Sequence, residues 1–303
     1  MVDVCLLGCG GMMPLPHRRL SALLYRFEGR MILIDCGEGT QVSVKQTGWG
    51  FKSIDAVLFT HFHADHISGL PGFLLTLGNS GRTEPLTLAG PPGLAAVVAD
   101  LCVIAPNLPF HLKIIELSVS EICELPIGQV VVKSLPVDHT VSCLAYRLDI
   151  KRTGVFDIHR ANEQHIPIVF WKALQNGESV EDGNAHYEPG MVLGPPRRGI
   201  SVTYCTDTRP VPELIPFCAD SDFLICEGLY AEDEKRQSAQ EKQHMIFSEA
   251  AEIANEARVK ELWLTHYSPS LKNPEEEVIN VKHIFSNIHA GYDLKTETIR
   301  YAD

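Results

Sequence analysis

The sequence predicts an α/β fold in which two packed β-sheets carry helices on their outer faces. Short apolar segments typical of strands alternate with helical segments in both halves of the chain, which indicates this layered class. With 45% hydrophobic and 21% charged residues, the composition is that of an ordinary globular protein rather than a disordered chain or a coiled coil. We expect residues 1–303 to form one domain with an inserted segment.

The first half of the chain is predicted to begin as a meander of strands and to continue with alternating strands and helices. β-Branched and apolar runs bounded by glycine mark the strands, and a proline marks the start of the second helix. The predicted strands are residues 2–8, 21–27, 30–37, 56–60 and 86–90, and the predicted helices run from about 66 to 78 and over 91–105.

The second half alternates in the same way but is interrupted by a different kind of segment. Residues from about 150 to 199 are rich in glycine and proline and lack strand alternation, so we interpret them as an arm that projects from the domain. Around it, strands are predicted near 112–117, 129–136 and 143–150 and over 200–207, 223–228 and 261–266, and helices over 247–259 and 274–288.

Charge and cysteine content limit the classes of function and the compartment. The chain has 26 basic and 38 acidic residues, a formal charge of −12, which argues against coating nucleic acid by bulk charge. No apolar run reaches the roughly 20 residues of a membrane span, and the apolar N-terminus reads as a strand rather than a signal peptide. Nine cysteines without a C-x-x-C pair indicate buried thiols, so we expect a cytoplasmic protein without membrane association.

The strongest chemical signal is the segment Thr60–His66, which directly follows a predicted apolar strand. His61 and His63 are two residues apart just past the strand end, where both can face one metal ion, and Asp65 and His66 open the next helix. Three imidazoles and a carboxylate within six residues suit zinc, iron or manganese. The alternative, surface histidines and an aspartate that only caps the helix, does not explain this density.

Three other residues stand where strands end and are candidates for completing a metal site. They are His139, Asp207 and His266. Each alone would be an ordinary strand-end histidine or a turn aspartate. Because the cluster at Thr60–His66 needs further ligands, we predict that strand ends bring all three to the same edge of the sandwich.

These segments resemble the ribonuclease Z family, the tRNA 3′-end processing endonucleases of the metallo-β-lactamase fold. The matching segments are LGCGG at 7–11, DCGEGTQ at 35–41, FTHFHADHISGLPG at 59–72, GPPRRG at 194–199, CTDTR at 205–209 and LTHYSP at 264–269. The resemblance implies an αββα sandwich with an inserted arm, a homodimer and two Zn²⁺ ions, with Mn²⁺ or Fe as alternatives. It implies one site of His61, His63 and His139, a second of Asp65, His66 and His266, and Asp207 bridging both.

The resemblance also implies a mechanism for phosphodiester hydrolysis. Two metals would activate a hydroxide that attacks phosphorus, with Asp65 orienting the water, and would remove the 3′ trailer of precursor tRNA. The leaving alkoxide needs a proton, which the family obtains from a glutamate and a histidine; the matching positions are Glu227 and His244. Asp35 is expected either to accept a hydrogen bond from a ligand imidazole or to act in a turn.

The chain departs from the family pattern around these catalytic positions. The family motif His-Glu-Ala-Thr reads Cys226-Glu227-Gly228-Leu229, and His-Ser-Thr reads His244-Met245-Ile246. Between residues 149 and 199 six lysines and arginines stand against seven acids, although an RNA clamp should be net basic.

Several functions therefore stay open beside precursor tRNA cleavage. One is hydrolysis of small or cyclic nucleotide diesters by the same metals. Another is a hydrolase of the same fold that cleaves lactones or thioesters. A third is an interaction protein with a dead site, although all seven ligand positions are filled.

Overall fold

The computed structural model describes residues 1–183 and 185–302 and contains, within them, two seven-stranded mixed sheets. The order in the first sheet is β16-β1-β2-β3-β4-β5-β6, in which β3 to β6 are parallel neighbours and the pairs β1–β2, β2–β3 and β1–β16 are antiparallel. Its strands are β1 (Val2–Gly8), β2 (Ala22–Phe27), β3 (Arg30–Ile34), β4 (Ile54–Leu58), β5 (Leu86–Gly90), β6 (Leu112–Glu116) and β16 (Lys295–Ile299).

The second sheet has the order β15-β14-β13-β12-β9-β8-β7. Its strands β12 to β15 are parallel neighbours, so their carboxyl ends lie at one edge. The strands are β7 (Cys123–Ile127), β8 (Val130–Val137), β9 (Cys143–Arg152), β12 (Arg197–Cys205), β13 (Phe223–Glu227), β14 (Leu262–Thr265) and β15 (Ile288–Ala290).

Burial along the strands shows that the first sheet is covered on both faces. In β1, Cys5 and Leu7 pack with the helices, whereas their neighbours Val4 and Leu6 point to the opposite face and are equally buried. Such uninterrupted apolar strands are typical of a sheet between two layers. Outside residues 150–199 the helices are α1 (Thr40–Thr47), α2 (Ala64–Ile67), α3 (Leu70–Asn79), α4 (Leu94–Leu101), α7 (Leu214–Cys218), α8 (Arg236–Glu241), α9 (Phe247–Glu256) and α10 (Pro274–Glu277).

The helices extend both sheets into layers. Apolar side chains of α1, α3 and α4 share one core with the first sheet. Helix α9 packs on β13 and β14 of the second sheet. The prediction of an α/β sandwich with helices outside two sheets is therefore confirmed.

Residues 150–199 belong to a separate compact unit that also includes Tyr301. It contains helices α5 (Ile158–Glu163) and α6 (Ile168–Gln175) and a two-stranded hairpin of β10 (Val180–Asp182) and β11 (Ala185–Tyr187). A small core of four buried residues holds this unit together: Ala161, Ile166, Leu174 and Val192.

Two of the predicted helices are wrong in their extent. The helix predicted over 274–288 is α10 followed by a 3₁₀ turn at Val278–Val281, since the two buried valines at that spacing of three fit a 3₁₀ turn as well as an α-helix. The helix predicted from 66 to 78 is two helices that break at Gly69, where a Cβ would lie 2.0 Å from the Gly37 carbonyl oxygen. No helix was predicted over Thr40–Thr47, where the structure has α1.

Candidate metal centre

The sheet edges place the candidate ligands. The Thr60–His66 segment follows β4, Asp207 follows β12 and His266 follows β14. Strands β12, β13 and β14 run parallel in register, with Cys205 beside Cys226 and Glu227 beside Thr265, so the residues that follow them meet at one edge. Each apolar strand thus carries a polar residue past its end. Strand pairing brings the residues after β12 and β14 together, whereas the Thr60–His66 segment reaches them from the other sheet.

The first group of ligands surrounds one point with three imidazoles and one carboxylate. His61 Nε2 lies 3.0 Å from His63 Nδ1, and His139 Nε2 lies 3.3 Å from that same Nδ1. Asp207 Oδ2 lies 3.6 Å from His61 Nε2 and 3.8 Å from His139 Nε2. Neutral imidazole nitrogens and a carboxylate oxygen at these separations fit one divalent cation.

The second group lies on the other side of the same carboxylate. Asp65 Oδ2 is 3.5 Å from both His66 Nε2 and His266 Nε2, and the two imidazole nitrogens are 3.2 Å apart. Asp207 Oδ1 lies 3.4 Å from His66 Nε2 and 3.2 Å from His266 Nε2. Asp207 Oδ2 thus faces the first group and Asp207 Oδ1 faces the second.

In three of the candidate ligand imidazoles, the ring nitrogen that faces away from the site makes a hydrogen bond. His66 Nδ1 lies 2.9 Å from Asp35 Oδ2, His61 Nδ1 lies 3.0 Å from Thr60 Oγ1, and His139 Nδ1 lies 3.1 Å from the Gln243 carbonyl oxygen. Asp35 also accepts the Thr60 hydroxyl and backbone N–H. Such contacts fix the tautomer and the ring orientation of a metal ligand.

The His266 ring is positioned by packing rather than by a hydrogen bond to its outer nitrogen. Its Nδ1 is buried and has no hydrogen-bond partner among the described residues. Its ring lies against Gly11, where a Cβ would come within 2.6 Å of His266 Cε1. Gly11 in the LGCGG segment is therefore required for the close approach of this imidazole to the backbone.

Three residues of the site have a backbone conformation that is unfavourable for side chains other than glycine. Asp35, Asp207 and His266 have φ angles of 62°, 52° and 58°. Left-handed backbone at non-glycine positions is uncommon and clusters at functional sites, where the surrounding structure enforces it. The turns after β3, β12 and β14 thus direct these side chains toward the site at some cost in local strain.

The pKa shifts of three candidate ligand imidazoles and of Asp65 favour the charge states that a cation needs, whereas the shift of His66 does not. Burial lowers the pKa of His66, but the charges of nearby carboxylates outweigh burial and raise this pKa well above its ordinary value. Burial, followed by the charge of His66, holds the pKa of His61 well below its ordinary value, and burial likewise lowers the pKa values of His63 and His139. Burial raises the pKa of Asp65, but its hydrogen bonds to His266 and His66 outweigh this and lower it. These three imidazoles are therefore neutral and Asp65 is ionised, which fits metal binding.

Glu227 and His244 form a buried pair beside the ligands. His244 Nδ1 lies 2.9 Å from Glu227 Oε2, and the other Glu227 oxygen accepts the backbone N–H of Thr208. Burial lowers the pKa of His244, but the charge and hydrogen bond of Glu227 outweigh it and raise this pKa to about 9. His244 Nδ1 is 4.0 Å from Asp207 Oδ2, so a protonated imidazole stands next to the candidate metal centre.

One of the altered motif positions around this pair, Gly228, has a packing reason. A Cβ on Gly228 would lie 2.6 Å from the Phe247 ring, so the glycine makes room for this phenylalanine. The two segments also pair through their backbones, since Leu229 N donates to Met245 O and Phe247 N donates to Tyr230 O. The Glu227–His244 geometry therefore does not depend on the family's neighbouring side chains.

The structure brings all the predicted site residues together around one centre. The N-cap residue of α2 is His63 and Asp65 lies within the helix, so the alternative that Asp65 merely caps the helix is wrong. Its Oδ2 instead accepts the backbone N–H of Met12 at 2.6 Å. Sequence reasoning missed Met12, the Thr60 hydroxyl and the Gln243 carbonyl, and the two backbone groups carry no signal in the sequence. The residues brought together are His61, His63, Asp65, His66, His139, Asp207, Glu227, His244 and His266.

Comparison with known proteins agrees with this fold and site. A family model described as a β-lactamase superfamily domain matches residues 149–267, and one described as the anti-Pycsar protein Apyc1 matches residues 2–94. The solved structure of human tRNase Z, short form, is similar with a TM-score of 0.70 and 23% identity, covering 98% of this chain and 99% of that one. The fold and the His/Asp cluster thus define a hydrolase of the metallo-β-lactamase fold.

Curated relatives define the family within that class. The ribonuclease Z of Clostridium kluyveri is 51% identical over 303 residues, which is 100% of both chains. That of Lachnoclostridium phytofermentans is 52% identical over 303 residues and covers 99% of each chain. The chain belongs to the ribonuclease Z family and is a metal-dependent hydrolytic ribonuclease, which confirms the family predicted from the sequence. Among the described residues, no helix is long and apolar enough to cross a membrane.

Proposed function

We propose that this ribonuclease removes the 3′ trailer of precursor tRNA, with two Zn²⁺ ions held by the seven-residue centre. The names of its full-length relatives support the substrate class. The Glu227–His244 pair beside Asp207 is the observation that carries the reaction type. Cleavage of an RNA phosphodiester expels an alkoxide, which needs a proton donor, whereas an activated ester does not.

The side chains divide the chemistry between them. His61, His63 and His139 would hold one ion, Asp65, His66 and His266 the other, and Asp207 both. When bound, the ions would activate a water nucleophile and stabilise the charge that develops on the phosphoryl oxygens. Asp65, fixed by the Met12 N–H, is placed to orient that water.

The proton for the leaving group comes from His244. The Glu227 carboxylate holds Nδ1 of this imidazole at 2.9 Å, so Nε2 is the nitrogen that can point toward the departing 3′ oxygen. Glu227 is completely buried and fixed by the Thr208 N–H, which keeps its own orientation constant. The pair therefore keeps a proton available at neutral pH.

Cellular context and assembly belong to the same proposal. All nine cysteines, each among the described residues, are free thiols, and seven are buried, which supports a reducing cytoplasm. We propose a homodimer, which is what the resemblance to the family implies. The chain is proposed to be one metallo-β-lactamase-like domain whose segment 150–199 serves as the arm that contacts tRNA.

A second candidate substrate is a small phosphodiester. The segment 149–199 carries seven acids against six basic residues, which does not favour a polyanion. A smaller diester would use the same metal centre and would not need the arm. The two substrates can be compared in one assay.

The experiment that tests the proposal uses a precursor tRNA with a 3′ trailer and, in parallel, bis(p-nitrophenyl) phosphate. With Zn²⁺ or Mn²⁺ we expect release of the intact trailer at a single position after the acceptor stem, and no release after chelation. Asp65→Ala is the control for contaminating nucleases. An uncut trailer beside rapid turnover of the small diester would contradict the tRNA proposal and favour the second candidate.

A further inference from the structure

Helix α9 begins three residues after His244, and its first turn is capped in an unusual way. Ile246 occupies the position before the helix, where a serine or threonine hydroxyl would usually accept a backbone N–H. Here Glu249 reaches back instead, and its Oε2 accepts the N–H of Ile246 at 3.1 Å. The Glu249 side chain is 4% exposed, so water does not solvate its carboxylate.

The partner of this buried charge is Arg209, two residues after Asp207. Arg209 Nη1 donates to Glu249 Oε2 at 2.9 Å, and Nη2 donates to Glu249 Oε1. The two side chains therefore form a bidentate ion pair. Nη1 also donates to the backbone carbonyl oxygen of His244. The guanidinium therefore holds the main chain of the proposed proton donor.

Arg209 is fixed at its other end to a ligand segment. Its backbone N–H donates to the carbonyl oxygen of Asp138 at 2.9 Å, directly before the ligand His139. One residue thus connects the turn after β12, the segment of His139 and the segment of His244. Gln243, directly before His244, has a φ of 56°, which is a left-handed backbone conformation unfavourable for side chains other than glycine. The loop that carries His244 therefore needs contacts such as those of Arg209 to hold its conformation.

We propose that Arg209 and Glu249 are positioning residues for His244: Glu249 orients the guanidinium, and the guanidinium sets the distance between the proton donor and the metal ligands. This inference rests on the proposed role of His244 as the acid. It assigns a function to two residues outside the ligand set and outside the Glu227–His244 pair. A pair that only stabilised the fold would not distinguish one leaving group from another.

The test measures kcat for an RNA substrate and for bis(p-nitrophenyl) phosphate in Glu249→Gln and Arg209→Lys. An RNA 3′ oxygen needs a proton, whereas p-nitrophenolate leaves without one. We expect the RNA-to-diester ratio of kcat to fall about tenfold or more in both variants, a fraction of the effect of a general acid. The conservative Glu249→Asp should restore part of the ratio.

Two controls separate positioning from stability. Arg236→Gln removes a second cation that contacts Glu249 Oε1 at 2.9 Å but does not contact His244, and the ratio should stay within about twofold. Asp149→Asn weakens a comparable pair with Arg147 on β9, and any loss should be equal on both substrates. Thermal melts accompany each variant.

The outcomes distinguish this inference from the proposal on which it rests. If His244→Ala lowers the ratio but Glu249→Gln and Arg209→Lys lower both rates equally, the positioning role is wrong and the acid stands. If His244→Ala itself leaves the ratio unchanged, the proposed acid is wrong. If Glu249→Gln fails to fold, the ratios for Glu249→Asp and Arg209→Lys decide, and if Arg209→Lys fails to fold, the ratios for the two Glu249 variants decide.

Discussion

The metal centre and the inserted segment differ in how narrowly their side chains are determined. At the centre, Asp35, Thr60 and Gln243 each hold one ligand imidazole, and an atom added to Gly11 would meet His266. In the segment 150–199, a four-residue core suffices, and Ile168 and Val169 are 75% and 77% exposed. Hydrogen bonds and close packing thus restrict the side chains around the candidate ligands, whereas the inserted segment has a small core and exposes large apolar side chains.

This contrast explains where the chain departs from its family pattern. The candidate ligand positions are filled, and Gly228, which stands where the family motif has alanine, leaves room for the Phe247 ring. The segment 149–199, by contrast, carries an excess of one acid where an RNA clamp should be net basic.

Asp65→Ala should nearly abolish activity on every substrate. The Asp65 carboxylate lies 3.5 Å from both His66 Nε2 and His266 Nε2 and accepts the Met12 N–H. Its loss would remove one candidate ligand of the second group and the side chain proposed to orient the attacking water. We expect kcat to fall by about 10³-fold or more on precursor tRNA and on bis(p-nitrophenyl) phosphate. Asp55→Ala, on β4 but paired with Arg30, is the control and should keep activity. A variant with near-normal turnover would contradict the assigned role.

His244→Ala should have a smaller effect that depends on the leaving group. Loss of the proton donor should lower kcat on RNA by about 10²-fold or more, because an alkoxide is a poor leaving group. Turnover of bis(p-nitrophenyl) phosphate should fall much less. Steady-state kinetics on both substrates measures this, and an equal loss on both would mean that His244 is not the acid.

Changing the charge of the inserted segment should alter RNA binding alone. Lys151 and Lys172 are exposed, and reversing both to glutamate should raise KM for precursor tRNA by about three- to tenfold at low salt, because phosphate contacts release counterions. Glu181→Lys with Asp182→Lys, in the exposed hairpin strand, should change KM in the opposite direction. KM values that do not depend on these charges would remove the segment from tRNA recognition.

Glu227→Gln should lower the pKa of His244 without removing the imidazole. In the native protein burial lowers the pKa of His244, but the charge and hydrogen bond of Glu227 outweigh burial and raise the pKa of His244 to about 9. Without that charge, burial is opposed by the smaller contribution of Asp207, so the pKa should fall from about 9 toward its ordinary value and the ring should be less protonated at neutral pH. NMR titration of the metal-free protein measures it. An unchanged pKa would mean that another group holds the proton.

The sequence was sufficient for the local part of the site. The Thr60–His66 motif predicts its own geometry because a strand end and a helix start fix all four ligands within one turn of chain. Asp207 and His266 were found because parallel strands end at one edge. The pairing of Glu227 with His244 came from the resemblance, since 17 positions separate them and no periodicity connects them.

Other features could not be read from the sequence because backbone atoms or packing create them. The Gln243 carbonyl that orients His139 and the Met12 N–H that fixes Asp65 look the same in any sequence. The helix predicted over 274–288 failed because the apolar spacing at Val278 and Val281 fits two kinds of helix. Tertiary contacts decide such cases.

The central claim is that seven side chains hold two cations on either side of Asp207. Anomalous diffraction from crystals grown with Zn²⁺ tests it most directly. We predict two zinc peaks, one within coordination distance of Asp207 Oδ2, His61, His63 and His139, and one near Asp207 Oδ1, Asp65, His66 and His266. A single peak, or peaks away from Asp207 in a protein that cleaves RNA, would contradict the account.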